Sequence, residues 1–393
     1  MRPVSIIGIG STTFGRHKET PLDALAATAC RDALGDAGVS EKDIGALYLG
    51  NFIGGVLSGQ EVLAGLVGHQ LGLPLSAPCS KVEGACASGG IAFRQAWMSV
   101  AAGLCDFAIA AGVEKMSHAG TARVTEALNC AMDQQRDGPT GLSFPGYFGM
   151  AARVYGAANP EWRADLTAVT RKNKANGLKN PLAQMGEDVS AETVEHSPLV
   201  ADPLRLYDCC PISDGAAAVV IAADDAIRER LSRAGAKPPI RIAATVQSRG
   251  APDVASIRNL LSFEATVEAA RQAYRASGLA PSDIDFVELH DCFSLTEILD
   301  AEDLSVVPRG AAGAWTREGR TAAGGDMPIN VSGGLLAKGH PVGATGVGQL
   351  FEAVRQLRGE HPNRVKDAAV GMTHNLGGAG VVCTVSILKR ADA

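Results

Sequence analysis

The sequence predicts a layered α/β protein built from two copies of one unit. Apolar, β-branched runs alternate with amphipathic, Ala-rich helical patterns, as in a sheet covered on both faces. A weak internal repeat lies at an offset of 240: residues 31–50 (RDALGDAGVSEKDIGALYLG) echo residues 271–290 (RQAYRASGLAPSDIDFVELH), setting Gly38 on Gly278, Asp43 on Asp283 and Ile44 on Ile284. The length, 393 residues, exceeds one minimal core and favours two or three packed units.

The elements follow in order. Val4–Ile9 is an apolar run that opens the first half as a strand. In each repeat copy an amphipathic helix ends at the glycine, a C-cap residue, and a capping segment then leads into a short apolar strand. Ile91–Ala102 reads as a helix and Phe107–Ala111 as a strand. Residues 121–207 match nothing in the other half and read as an insertion. Ser213–Ile221 closes the first half, as the Gly-rich stretch Leu376–Cys383 closes the second. The charged, Pro-containing stretch from Asp224 to Pro239 reads as a linker. Ile240–Val246, Phe286–Leu289 and Ala368–Thr373 supply the strands of the second half.

Composition narrows the function classes. Hydrophobic content is 46% and charged content 20%, the balance of a globular chain. A net charge of −6 gives no reason to expect nucleic acid. No run reaches the roughly 18 apolar residues of a membrane span, and no secretory signal pattern is present. The last residues, Leu388-Lys389-Arg390-Ala391-Asp392-Ala393, carry no peroxisomal address, so the expected location is cytoplasmic. Nine cysteines without a Cys-x-x-Cys zinc pattern suggest free thiols in a reducing compartment and no metal site.

Three short stretches carry chemistry. Cys86, in Gly84-Ala85-Cys86-Ala87-Ser88-Gly89-Gly90, stands before a helical pattern, where unpaired N–H groups and the positive end of the helix dipole favour a thiolate. By spacing alone it reads either as a nucleophile or as a small buried hydrophobe. His340 lies in Gly339-His340-Pro341-Val342-Gly343-Ala344-Thr345-Gly346, a backbone that presents an imidazole suited to general-base work. Alone, this loop also suits a phosphate, but it lacks a Gly-Lys-Ser/Thr ending. The third stretch, His290-Asp291-Cys292-Phe293, follows a strand, and by itself His290 reads as a structural histidine. Arg171, Lys172, Lys174 and Lys179 form a basic run that reads as a solvated helix face or as an anion contact. Gly8-Ile9-Gly10-Ser11 lacks the third glycine of a dinucleotide loop.

Together the three stretches strongly resemble the thiolase superfamily, specifically its sterol-carrier-protein-type branch, over essentially the whole chain. The resemblance implies the thiolase fold: two repeated βαβαβαββ halves in an α/β/α/β/α arrangement with an inserted loop domain. The halves would be 1–120 with 208–235, and 236–393, and the loop domain 121–207. It implies an acyltransferase acting on coenzyme A thioesters, with no permanently bound cofactor. Cys86 would be the acylated nucleophile and His340 its activating base. His290 would stand where ordinary thiolases hold an oxyanion-hole water with an Asn, and Asp291 would orient its neighbours. Cys292 would move the proton at carbon. Ordinary thiolases keep a second cysteine near the C-terminus. Here Met372-Thr373-His374-Asn375-Leu376-Gly377 puts His374 at that place, as this branch does. The second oxyanion hole would use the Cys86 N–H and one from Leu376 or Gly377. Arg171, Lys172 and Lys174 would meet coenzyme A phosphates. The expected partners are acyl-CoA, coenzyme A and further copies of the chain, as a dimer or tetramer. A retro-aldol lyase with a small OB-fold partner is the alternative enzyme, and a non-catalytic acyl-CoA-binding subunit the alternative from another class. The cysteine at 292 argues against a β-ketoacyl synthase.

Overall fold

The computed structural model describes residues 1–227 and 237–392. Most of the expected linker therefore lies outside the described residues. Among the described residues nine strands join into one mixed sheet: β1 (Val4–Ser11), β2 (Ala46–Gly50), β3 (Cys79–Val82), β4 (Phe107–Glu114), β7 (Gly215–Ala223), β8 (Ile240–Arg249), β9 (Phe286–Glu288), β10 (Val370–Gly377) and β11 (Val382–Arg390). A small hairpin, β5 (Leu199–Ala201) with β6 (Leu204–Arg205), belongs to the insertion. The order is β3-β2-β4-β7-β1-β8-β11-β10-β9.

That order is the repeat made visible. On one side β2 runs parallel to β3 and β4, then β7 and β1 are antiparallel. On the other side β9 runs parallel to β10, then β11 and β8 are antiparallel. The halves join where β1 and β8 pair antiparallel, Ser5 opposite Arg241 and Ile6 opposite Ile240. Both repeat helices, Leu22–Ala37 and Glu264–Ser277, stop at a glycine in the left-handed conformation, Gly38 at φ 61° and Gly278 at φ 73°. Each is followed by a short turn in which Asp43 or Asp283 accepts the N–H of the residue three before it. The repeated Gly and Asp thus conserve a stop and a restart.

Five layers result. The helix Leu22–Ala37 covers the outer face of β1, β4 and β7, and Glu264–Ser277 covers β8 and β11. Between the two half-sheets lie Ser88–Ala101 and Thr345–Leu357, packed on each other and on strands of both halves. Thr345–Leu357 is buried over nearly all its length, as expected of a helix with sheet on both sides. The insertion contributes Phe144–Ala158 and Trp162–Lys179, the latter packed on second-half helices. No helix among the described residues is long and apolar enough to cross a membrane.

Two buried carboxyls brace this centre. Glu114, at the end of β4, accepts from Asn51 Nδ2 (2.8 Å) and from the N–H groups of Phe52 (2.9 Å) and Gly343 (3.1 Å). Glu288 accepts from the Ser332 N–H (3.0 Å) and hydroxyl (2.5 Å). Burial pushes both from the ordinary 4.5 up to about 7. Between those values the folded chain holds protons that the unfolded chain has released, so stability is lost as pH rises through about 7. The expected result is a melting temperature that falls between pH 5 and pH 8. Each group contributes on the order of 3 kcal/mol of that slope. Glu114→Gln should flatten it, and an equally steep slope in the variant would refute the assignment.

Candidate active site

Cys86 sits in a tight turn, Ala85–Ala87, directly before the central helix Ser88–Ala101. Ala85 is held at φ 50°, a conformation L side chains rarely adopt. The Ser88 hydroxyl clamps the turn by donating to the Ala85 carbonyl (2.6 Å) and accepting the Gly84 N–H (3.0 Å). A Cβ on Gly377 would lie 2.4 Å from the Gly84 carbonyl oxygen, so the strand end β10 closes onto this turn only because position 377 is glycine.

The Gly-rich loop 339–346 reaches the same point from the second half. A Cβ on Gly112 would lie 2.3 Å from the Gly343 carbonyl, another approach only glycine allows. Ser213 Oγ accepts the His340 N–H (3.0 Å), and His340 Nδ1 lies 2.7 Å from Thr345 Oγ1. The Thr345 hydroxyl donates to the Pro341 carbonyl (3.2 Å) and therefore accepts Nδ1–H. This tautomer leaves Nε2 with a free lone pair. Asn375 Nδ2 lies 3.2 Å from His290 Nδ1 and donates to it, which puts the His290 proton on Nε2. The two imidazoles meet edge to face, centroids 5.0 Å apart. One ligating atom each of Cys86, His290 and His340 lie within 4.8 Å of one another. The cluster thus offers a thiol, a bare nitrogen and an N–H donor at one point.

Burial governs the charge state. It pushes the Cys86 thiol up to about 12, against the opposing pull of the Gly378 and Cys86 N–H groups, and pushes His340 down to about 3. The expectation of a standing thiolate at the helix terminus is therefore corrected: desolvation outweighs the dipole, and the resting pair is neutral thiol and neutral imidazole. Leu376 and Gly377 lie in the β10–β11 ladder opposite Cys383 and Val382, and the N–H of Gly378, one residue on at φ 63°, reaches Cys86.

Asp291 lies among three hydrogen-bond donors. Its carboxylate accepts from the N–H groups of Leu335 (2.7 Å) and Leu336 (3.3 Å) and from Asn173 Nδ2 (2.8 Å), tying this motif to the segment that leads into His340. Cys292 lies 4.0 Å by its sulfur from Thr296 Oγ1 and within electrostatic reach of Cys86. His374 faces away. Its Nδ1 accepts the backbone N–H of His290 (3.4 Å), and its Nε2 lies 3.0 Å from Thr266 Oγ1, which donates to Asp300 (3.1 Å). Both ring nitrogens are engaged behind His290, so His374 supports the cluster from the rear.

The basic run is corrected. Lys172 is buried in a pair with Glu297 (3.0 Å) and donates to Ile329 O (2.7 Å). Lys174 is buried with its ammonium 5.5 Å from the centre of the Tyr207 ring. Neither lysine can meet a phosphate without breaking this packing. Arg171 is exposed and donates through Nε to Val189 O (3.0 Å), which leaves the rest of its guanidinium free.

One residue was missed. Cys210 donates its N–H to Cys292 O (3.0 Å), beside a bridge between Cys209 and Phe293. Its thiol interacts electrostatically with Cys86, Cys209 and Asp291. Asp208 secures this segment by accepting from Arg163 through two bonds (2.6 and 2.9 Å) and from Ser294 Oγ (2.8 Å). The Cys-Cys-Pro-Ile-Ser-Asp-Gly run was the available signal: a thiol pair just ahead of the motif that closes the first half.

The similarity of known proteins agrees with this geometry. The description "Thiolase, N-terminal domain" matches residues 4–225, and "Thiolase C-terminal domain-like" matches residues 247–390. The chain belongs to the thiolase superfamily. It is 43% identical to acetyl-CoA acetyltransferase of Methanothermobacter thermautotrophicus over 392 residues, 99% of this chain and 100% of that one. It is 33% identical to human sterol carrier protein 2 over 400 residues, 98% of this chain and 72% of that one. Among solved structures, an Ltp2-ChsH2(DUF35) aldolase superposes with a TM-score of 0.83 at 26% identity, covering 99% and 98% of the two chains. This thiolase is accordingly an acyltransferase.

The Thr345 contact yields a prediction of its own. Thr345→Val keeps the volume and removes the acceptor of Nδ1–H, so kcat should fall roughly 10–10²-fold with KM little changed. Thr345→Ser should restore it. A Val variant with normal kcat, or a Ser variant no better than Val, would show that the hydroxyl does not set the tautomer.

Proposed function

We propose that this thiolase condenses an acyl-CoA with acetyl-CoA, or cleaves a 3-ketoacyl-CoA by thiolysis, through an acyl-Cys86 intermediate. The convergence of Cys86, His290 and His340, with the Cys292 thiol beside them, carries this reading. His340 Nε2 takes the Cys86 proton as sulfur attacks the thioester carbonyl. The tetrahedral oxyanion receives the N–H groups of Cys86 and Gly378, and the departing coenzyme A thiolate takes the proton back from His340. In the second half-reaction Cys292 removes the α-proton of acetyl-CoA. The enolate oxygen is stabilised by His340 and by the His290 N–H, through a water. The carbanion then attacks acyl-Cys86, and thiolysis is the reverse.

Burial, with smaller contributions in the same direction from Cys210 and Cys86, holds the Cys292 thiol well above its ordinary value, so the thiolate that acts on carbon forms only transiently.

Residues 1–120 with 208–235, 121–207 and 236–393 are the proposed units, the middle one covering a coenzyme A channel. Coenzyme A thioesters act as substrates, with no resident cofactor. The proposed assembly is a homodimer or homotetramer in the cytoplasm, serving lipid metabolism. A small partner protein is a further proposal, since the aldolase neighbour is named as an Ltp2-ChsH2(DUF35) assembly. The lyase reading is not favoured, because the 43% full-length relative is an acetyl-CoA acetyltransferase and the aldolase stands at 26%.

Steady-state assays with acetoacetyl-CoA and longer 3-ketoacyl-CoAs, run in both directions, test the reading. Turnover with coenzyme A as acceptor supports it. Cleavage of a 3-hydroxyacyl-CoA without consumption of coenzyme A would replace it with the lyase.

A further inference from the structure

We infer that Cys86, His340 and His290 form a binding site for a borderline-soft divalent cation of the zinc type, which would block the enzyme reversibly. The donor set is one thiolate and two imidazoles, the ligands zinc prefers, with the fourth tetrahedral position left open. The three ligating atoms lie within 4.8 Å of one another, the only such group of three found among the described residues. Zinc–ligand bonds of about 2.0–2.3 Å require the three side chains to draw together by roughly 1 Å, a side-chain movement with the backbone held.

The surroundings of each imidazole support the assignment independently of the donors. A ligating histidine ordinarily donates its second ring N–H to a fixed acceptor. For His340 that acceptor is Thr345 Oγ1 at 2.7 Å, and the inward Nε2 already carries the lone pair. For His290 the neighbour is Asn375, whose buried Oδ1 has no hydrogen-bond partner among the described residues. A half-turn of that amide presents Oδ1 to a proton on Nδ1 and frees His290 Nε2 as a ligand. The same rotation gives the unpartnered oxygen a partner, with Nδ2 giving up its bond to His290 in exchange. His290 therefore changes from donor, in the catalytic arrangement, to ligand in the metal-bound one.

The chemistry balances simply. The cation displaces the thiol proton, so a sulfur–metal bond forms, about one proton is released to solvent per cation bound, and affinity rises with pH. Nucleophile and base are occupied together, so neither half-reaction can start. Acylation of Cys86 removes the thiolate donor, which makes cation and acyl group mutually exclusive.

Cobalt(II) is the probe, because a thiolate ligand gives it a near-ultraviolet charge-transfer band that imidazoles and carboxylates do not. Titrated into the intact, reduced protein, it should produce that band at about one cobalt per chain, and zinc should abolish it. The band should be absent from Cys86→Ala and from wild-type protein first acetylated with acetyl-CoA. Apparent affinity should drop roughly 10–10²-fold in Asn375→Leu, which removes the outer acceptor. Activity lost to zinc should return with a chelator. No band at saturating cobalt would overturn the inference. So would a band that survives in both Cys86→Ala and the acetylated enzyme, because it would place the cation on Cys210 and Cys292. Neither result would touch the thiolase reading, which the turnover assay decides separately.

Discussion

Replacing Cys86 by alanine is expected to lower turnover by at least ~10⁴-fold in both directions while leaving the fold intact. No other group is placed to accept the acyl chain. Cys292 and Cys210 lack the N–H pair from positions 86 and 378 that would hold the tetrahedral oxyanion. The side chain is small, so its loss opens little cavity and the melting temperature should barely move. Acetyl-CoA should acetylate a single cysteine in the wild type, and peptide mapping should place it at 86. His340→Ala should suppress that acetylation by ~10²–10⁴-fold, the range for a lost base, because the neutral thiol pushed up to about 12 does not ionise unaided near neutrality. Acetyl found on Cys209 or Cys210, or an alanine variant with ordinary turnover, would overturn the assignment. Iodoacetamide is a weaker probe here than acetyl-CoA, because a neutral buried thiol owes its reactivity to His340 and not to a standing charge.

The sequence carried the architecture because its signals are local. Gly38 and Gly278 stop helices by backbone geometry, and Asp43 and Asp283 restart the chain within three residues, so the repeat could be read without any tertiary contact. Cys86 and His340 were legible for a related reason: each lies in a run whose glycines betray an irregular backbone, whereas His290-Asp291-Cys292-Phe293 has no glycine and showed only as a polar break at a strand end. What escaped reading was decided by partners far away in the chain. Lys172 and Lys174 read as a charged helix face until the second half buried them against Glu297 and Tyr207. Glu114 ends the otherwise apolar strand Phe107–Glu114, and only the fold brings it to Gly343, 229 residues on. The Gly378 N–H that reaches Cys86 lies one residue beyond the expected Leu376 or Gly377, a distinction that periodicity does not resolve. Desolvation was likewise invisible: a helix terminus shows in the sequence, but the depth at which it is buried does not.

Cys292→Ala should separate the two half-reactions. Acyl transfer to Cys86 requires His340 and the N–H pair, and moves no proton at carbon. The variant should therefore still form acetyl-Cys86 at near wild-type extent. Condensation and thiolysis both pass through a carbanion next to a thioester, so steady-state turnover should fall by ~10²–10⁴-fold, the usual range for a missing general acid–base. Methyl protons of acetyl-CoA should exchange with deuterated water in the wild type and fail to do so in Cys292→Ala. The competing base is His374, which occupies the position of the second cysteine in ordinary thiolases. Its placement argues against that role, because Nδ1 accepts the backbone N–H of His290 and Nε2 faces Thr266 and Asp300. Removing it should loosen His290 and the enolate site. His374→Ala is thus expected to slow turnover while retaining measurable exchange. Thr296→Val supplies a finer test. Its hydroxyl lies 4.0 Å from the Cys292 sulfur and is the one hydrogen-bond contribution that favours the thiolate there. Losing it should shift the basic limb of the exchange rate to higher pH without changing acetylation of Cys86. Full exchange in Cys292→Ala together with none in His374→Ala would transfer the carbon-proton step to the histidine.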